Sequence, residues 1–156
     1  MPRVGHASPA PRPVEIQTHI DIDASPERVW EVLTDFPTHP SWNPFIREIS
    51  GEVREGAELR VVLGPRGKPV TFRPTVVEAE APRALVWLGT FGGAWLFRGE
   101  HRFRLEALPD GGTRFHHGEA FGGLLLPLLR TSLDTETRAG FEAMNAALKA
   151  RAEGGA

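Results

Sequence analysis

Around Gly122-Gly123 the spacing of apolar residues in this chain changes from two to between three and four. Beyond that point Leu126, Leu129, Leu133, Thr137, Phe141, Met144 and Leu148 recur at the spacing of one helical face, which predicts a helix over 127–150. Such a stripe needs an apolar bed, and the rest of the chain reads as the strands that supply one. Ile16, Thr18, Ile20 and Ile22 alternate with Glu15, Gln17, His19 and Asp21, the pattern of a half-buried strand. Ser25-Pro26-Glu27 then offers a hydroxyl N-cap, a proline where no N–H is missed and a carboxylate near the positive end of the helix dipole. A short helix follows with Val29, Trp30 and Leu33 on its apolar face, and Pro37 and Pro40 stop it near Asp35. The 37–44 stretch is expected to be a loop with at most one helical turn.

Six further strand-like runs, 46–53, 57–63, 70–80, 85–90, 95–108 and 113–121, are bounded by turn formers such as Gly51, Gly56, Pro65-Arg66-Gly67, Pro82, Gly92-Gly93 and Asp110-Gly111-Gly112. Connections this short imply an antiparallel meander. The predicted fold is therefore α+β, a curved antiparallel sheet wrapped around a long C-terminal helix. At 156 residues the chain suits one domain, expected over 14–152. Residues 1–13, with four prolines and little that is large and apolar, are expected to form a disordered tail, and the Gly-rich 153–156 to fray.

Charge and cysteine content close several functions. Lys+Arg 18 against Asp+Glu 20 leaves no positive field to recruit nucleic acid. With no cysteine, disulfides, thiolate nucleophiles and cysteine metal sites are excluded. The longest uncharged stretch, Ala84 to Phe97, is shorter than the roughly 20 residues of a membrane span. No secretory signal is read, so the expected location is cytoplasmic, as a monomer or homodimer. The paired glycines lack the spacing of a phosphate cradle, and no serine sits in a nucleophile elbow.

Alternation locates a cavity. In 95–105 the odd positions Trp95, Phe97, His101, Phe103 and Leu105 are the inward set, while Arg98, Glu100, Arg102 and Arg104 face out as a charge ladder. A three-residue loop at Asp110-Gly111-Gly112 would set Leu105 against His117, Phe103 against Glu119 and His101 against Phe121, making Phe115, His117, Glu119 and Phe121 inward. His101 and Glu119 are then diagonal neighbours within hydrogen-bonding reach. A buried Glu or His of this kind is either a satisfied core group or the polar end of a pocket. Adjacent His116 and His117 point to opposite faces of a strand and cannot chelate one ion together; His101, His117 and Glu119 match no metal-ligand spacing, so neither a metal nor a cofactor is expected. His6, His19 and His39 are placed in tail, solvent face and loop.

Nine phenylalanines and four tryptophans with no tyrosine complete the picture. Trp30, Trp87, Trp95 and Phe97 each suit a core, yet wide rings lining a curled sheet leave gaps that small apolar molecules fill. Trp42-Asn43-Pro44-Phe45 follows a Pro-rich loop at the cavity mouth, as a lid or an anchor.

The run from Ile20 to Asp35, Trp42-Asn43-Pro44-Phe45, the segment from Gly111 to Glu119 and the closing stretch from Phe141 to Lys149 resemble the START-like superfamily, whose bacterial members include SRPBCC or polyketide cyclase/dehydrase proteins. The resemblance covers residues 14–152 and implies a helix-grip fold with an apolar cavity between sheet and terminal helix. It implies less about activity, because the superfamily includes lipid carriers, hormone receptors, cyclases and chaperone activators. The leading expectation is a protein that binds a small hydrophobic molecule as carrier, sensor or accessory factor. Its candidate contacts are Trp30, Trp42, Phe45, Trp87, Trp95, Phe97, His101, Phe103, Phe115, His117, Glu119, Phe121, Leu133, Phe141 and Met144. The rival is a cyclase or dehydratase in which Glu119 and His101 exchange protons with substrate in the same cavity.

Overall fold

A computed structural model describes residues 14–64 and 69–154, with the backbone alone over 129–134. Its elements are β1 (Val14–Ile22), α1 (Pro26–Thr34), a 3₁₀ turn (Phe36–Thr38), α2 (His39–Trp42), β2 (Ile46–Ser50), β3 (Arg60–Leu63), β4 (Val70–Phe72), β5 (Thr75–Glu80), β6 (Ala84–Phe91), β7 (Phe97–Ala107), β8 (Thr113–Gly122) and α3 (Leu126–Gly154). All strand pairs are antiparallel, in a five-stranded sheet of order β1-β8-β7-β6-β5 and a three-stranded sheet of order β2-β3-β4. The first and last strands of the chain pair over their whole length, Val14 with Phe121 through Ile22 with Thr113, so β8 carries β1 to the sheet edge beside α3. This is the helix-grip arrangement: α3 packs on β1, β8 and α1, with Phe141, Met144 and Leu148 fully buried. Leu129 and Leu133 of the predicted stripe lie outside the described side chains, as the tail 1–13 and the Pro65-Arg66-Gly67 turn lie outside the described residues.

The short helix forms as its sequence dictates. Ser25 Oγ accepts the Arg28 N–H at 3.2 Å, Pro26 opens the first turn, and Val29, Val32 and Leu33 are buried. Five readings need correction. The 37–44 loop holds two successive turns, the 3₁₀ turn and α2, because His39 is no loop surface residue: it is buried, with Nε2 donating to the Leu33 carbonyl at 2.7 Å. Asn43 fastens the same loop, its Nδ2 donating to His39 Nδ1 while Oδ1 accepts from Phe45 N and Ile46 N. The 70–80 run is cut at Arg73-Pro74, where proline has no N–H for the ladder, and β5 pairs onward with residues 57–59 and β6.

The third correction is register. The β7–β8 loop spans Leu108–Gly112, five residues rather than three, since Pro109 cannot donate to a ladder and pairing ends at Ala107 with Thr113. Leu105 therefore faces Phe115, Phe103 faces His117 and His101 faces Glu119 directly. A shift of two leaves the inward and outward faces as predicted but changes every partner. Fourth, β7 starts at Phe97; Trp95 lies in the turn before it and is 66% exposed rather than inward. Fifth, the helix continues through Glu153 to Gly154, where Glu153 Oε1 accepts from the Asp23 N–H at 2.7 Å and from Lys149 Nζ at 2.6 Å, fastening an end expected to fray. Among the described residues no helix is long and apolar enough to cross a membrane.

Candidate functional site

On the inward face of β6 the alternating residues are Trp87, Gly89 and Phe91, and on β7 Phe97, Gly99 and His101; the register sets Gly89 opposite Gly99. Two facing positions without side chains leave a hollow in the middle of the sheet, between the aromatic flanks. The resulting cavity has a volume of about 610 Å³. Its floor is β6, β7 and β8; Val61, Leu63, Val70 and Phe72 of the smaller sheet form one side, and Phe45 with Thr137, Ala139 and Gly140 of α3 form the roof. Gly140 is required there because a Cβ would stand 2.5 Å from the Phe45 ring. The helix thus divides its labour: its C-terminal half is core, and the turns before Phe141 overhang the hollow.

Of the residues singled out in the sequence, Phe45, Trp87, Phe97, His101, Glu119 and Phe121 line this cavity. Phe103, Phe115, His117, Phe141 and Met144 sit behind it, fully buried in the core that supports the wall. Trp30 and Trp42 are partly buried against that core on the α1 and α2 side and do not reach the cavity. Trp95 is outside on its turn, and the side chain of Leu133 is not described. Sequence reasoning missed Gly89, Gly99 and Gly140. The signal for the first two was present, as glycines in phase with an inward aromatic alternation.

The polar end of the cavity continues into the core as a chain of hydrogen bonds. Glu119 Oε2 lies 3.3 Å from His101 Nδ1, His101 Nε2 lies 2.8 Å from His117 Nε2, and His117 Nδ1 lies 2.9 Å from Asn145 Oδ1. Asn145 Nδ2 donates to Thr18 Oγ1 at 2.8 Å, and the Thr18 hydroxyl donates to the His117 carbonyl at 2.8 Å. Four elements, β1, β7, β8 and α3, each contribute at least one member. Asn145 was also missed, although it falls four residues after Phe141 on the inward stripe.

Aromatic rings enclose both imidazoles. Trp87 stacks on His101 with ring centres 4.9 Å apart, and Phe141 stacks on His117 at 3.9 Å. Burial holds the His117 imidazole well below the usual histidine range, the neighbouring His101 adds to that, and the Asn145 hydrogen bond only partly opposes it. His117 is therefore a neutral ring. Because His101 and His117 turn ring nitrogens toward each other at hydrogen-bond distance, the trio with Glu119 does not converge on a common point for an ion; among the described residues no group of three His, Asp or Glu does.

The outer face of the same strands is a solvated charge ladder, with Arg102 on Glu100 and Glu15, Arg104 on Glu78 and Arg114 on Asp21. Alternation sends these side chains away from the hollow.

No curated protein matches the chain in sequence. Solved structures match it in fold. The aromatase/cyclase ZhuI of Streptomyces sp. R1128 superposes with a TM-score of 0.74 at 17% identity, over 90% of this chain and 94% of that one. A START superfamily protein from Mycobacterium smegmatis gives 0.70 at 20% identity, over 91% and 99%. A protein from Thermus thermophilus gives 0.71 at 20% identity, over 92% and 99%. At these identities the likeness is one of fold. The sequence itself carries the assignment further: residues 13–153, from the edge strand to the end of the gripped helix, match one family model, and the chain belongs to the family described as polyketide cyclase / dehydrase and lipid transport.

Proposed function

We propose that the protein binds a small hydrophobic molecule in the cavity between its sheets and α3 and releases it unchanged, as a carrier, sensor or accessory protein. The observation that carries this reading is the hollow opened by the Gly89–Gly99 pair: about 610 Å³, walled largely by aromatic and aliphatic side chains, with His101 and Glu119 on the sheet wall and Thr90, Glu136 and Thr137 also on its lining. Cavities of this size and character suit drug-sized apolar ligands. Phe45, Trp87, Phe97 and Phe121 provide the apolar contacts, and His101 and Glu119 the polar ones. The reading requires no cofactor and no nucleic acid, and the protein acts as a monomer or homodimer in the cytoplasm.

The test combines native mass spectrometry of protein purified from its own host with titration of 1-anilinonaphthalene-8-sulfonate. A co-purified small mass, and dye binding well above that of a compact control domain, are expected. A Cβ on Gly89 meets nothing closer than 3.9 Å, so Gly89→Leu places its side chain in the hollow. Dye affinity should fall at least tenfold while the melting temperature is kept. A variant that binds the dye as well as the parent removes the proposal.

A second reading, a cyclase or dehydratase, draws on the 3.3 Å contact between His101 and Glu119 at the cavity wall, together with the family's own description. In it Glu119 and His101 exchange protons with the substrate. The readings separate on whether bound compound is recovered unchanged, and on whether Glu119→Gln abolishes turnover rather than binding.

A further inference from the structure

The order of donors and acceptors in the buried chain fixes what its last atom can offer the cavity. A carbonyl only accepts, so the Thr18 hydroxyl must donate to the His117 carbonyl, and Thr18 Oγ1 then receives Asn145 Nδ2. That orientation of the amide puts Asn145 Oδ1 on His117 Nδ1, which must therefore carry a hydrogen. His117, neutral because it is buried, keeps a bare Nε2, so the 2.8 Å contact is filled by His101 Nε2–H. Each step leaves one choice. At the end His101 Nδ1 meets Glu119 Oε2 at 3.3 Å, and a proton in this contact lies between those two atoms. The other carboxyl oxygen, Oε1, bears only lone pairs.

Oε1 has no hydrogen-bond partner among the described residues and lies across Gly99, where a Cβ would stand 2.7 Å from it. Glu119 and Gly99 both line the cavity, and the carboxylate side chain is 15% exposed. We infer that the cavity selects a hydrophobic molecule bearing a hydroxyl group, a phenol, enol or alcohol that donates to Glu119 Oε1, and that His117, Asn145 and Thr18 are positioning residues that keep this oxygen an acceptor. The inference rests on the binding reading above and narrows its ligand. A ligand presenting only a carbonyl or ether oxygen meets lone pairs facing lone pairs, and an unpaired buried acceptor is penalised.

Three naphthalenes of nearly equal size test it on the intact protein: 2-naphthol, 2-methylnaphthalene and 2-methoxynaphthalene, titrated by fluorescence. The naphthol should bind at least tenfold more tightly than either of the others, and Glu119→Leu should bring its affinity to that of 2-methylnaphthalene. Separately, ¹⁵N-resolved imidazole spectra of the ligand-free protein should show His117 protonated at Nδ1 and bare at Nε2, and His101 protonated at Nε2. Asn145→Leu, which removes the acceptor for His117 Nδ1–H, should release that tautomer and reduce the naphthol preference. Binding of the methoxy compound as tightly as the naphthol overturns the hydroxyl selection while leaving the cavity a binding site. A His117 protonated at Nε2 overturns the positioning chain without any ligand. Saturation by none of the three removes the binding reading and the selection together.

Discussion

His39 and His117 are both buried, the first 1% and the second 0% exposed, and burial lowers the affinity of each ring for a proton. In the unfolded chain the same side chains take a proton near pH 6.5. Above that pH both states hold neutral rings and the stability from burying them is fully present. As pH falls below it, the unfolded state binds protons that the folded state refuses, so stability declines until the lowered folded values are reached. The loss approaches about 1.4 kcal/mol per pH unit for each ring. Urea unfolding at pH 7.5 and pH 5.5 should show a lower midpoint at the acid value, and an unchanged midpoint would mean that neither ring is held neutral. At this scale the sequence is legible where one residue's surroundings come from its own strand, and opaque otherwise. His101 and Glu119 stood out because aromatics flank them in a clear alternation. His39 did not, because the Leu33 carbonyl and Asn43 that satisfy it meet it only after the chain turns back at Phe36.

Among the elements, α3 has the largest consequence. Phe141 is fully buried, stacks on His117 and meets Phe45 edge to face at 5.3 Å, so it joins the core to the cavity roof. Phe141→Ala should cost about 3 to 5 kcal/mol, read from denaturant midpoints at constant slope. A loss under about 1 kcal/mol would mean that the helix does not seal the core. Helix and strands were visible from period alone, because a buried face imposes its spacing on the residues that fill it. Register was not. Inward and outward sets survive any shift by two, so alternation cannot separate His101 opposite Phe121 from His101 opposite Glu119; the missing N–H of Pro109 decides it. Pro74 acts likewise in dividing one expected strand into β4 and β5.

At the scale of the molecule, two sheets enclose one space, and the sequence indicated a cavity of drug-like size without the pair of residues that hollows it. Capacity depends on Gly89 facing Gly99, a pairing set by register. The seam between the sheets lies at Arg73-Pro74, crossed by the Leu59 N–Pro74 O, Gly56 N–Val76 O and Val76 N–Ala57 O hydrogen bonds, each 2.8 Å long. Pro74 itself lines the cavity, so the seam runs along its wall. Val61, Leu63 and Phe72 stand on one side of this seam and Trp87 and Gly89 on the other. Were the seam to yield, room for a guest would be governed by the stiffness of a joint, and a larger guest would stretch the enclosure instead of meeting a fixed boundary. For 4-alkylphenols from ethyl to octyl, affinity should rise by about fourfold per added methylene, the effect of burying one CH₂ at about 0.8 kcal/mol, with no abrupt end to the series. A sharp cutoff at one chain length would describe a rigid shell; a gradual rise describes a compliant one, adapted to a range of guests rather than a single outline.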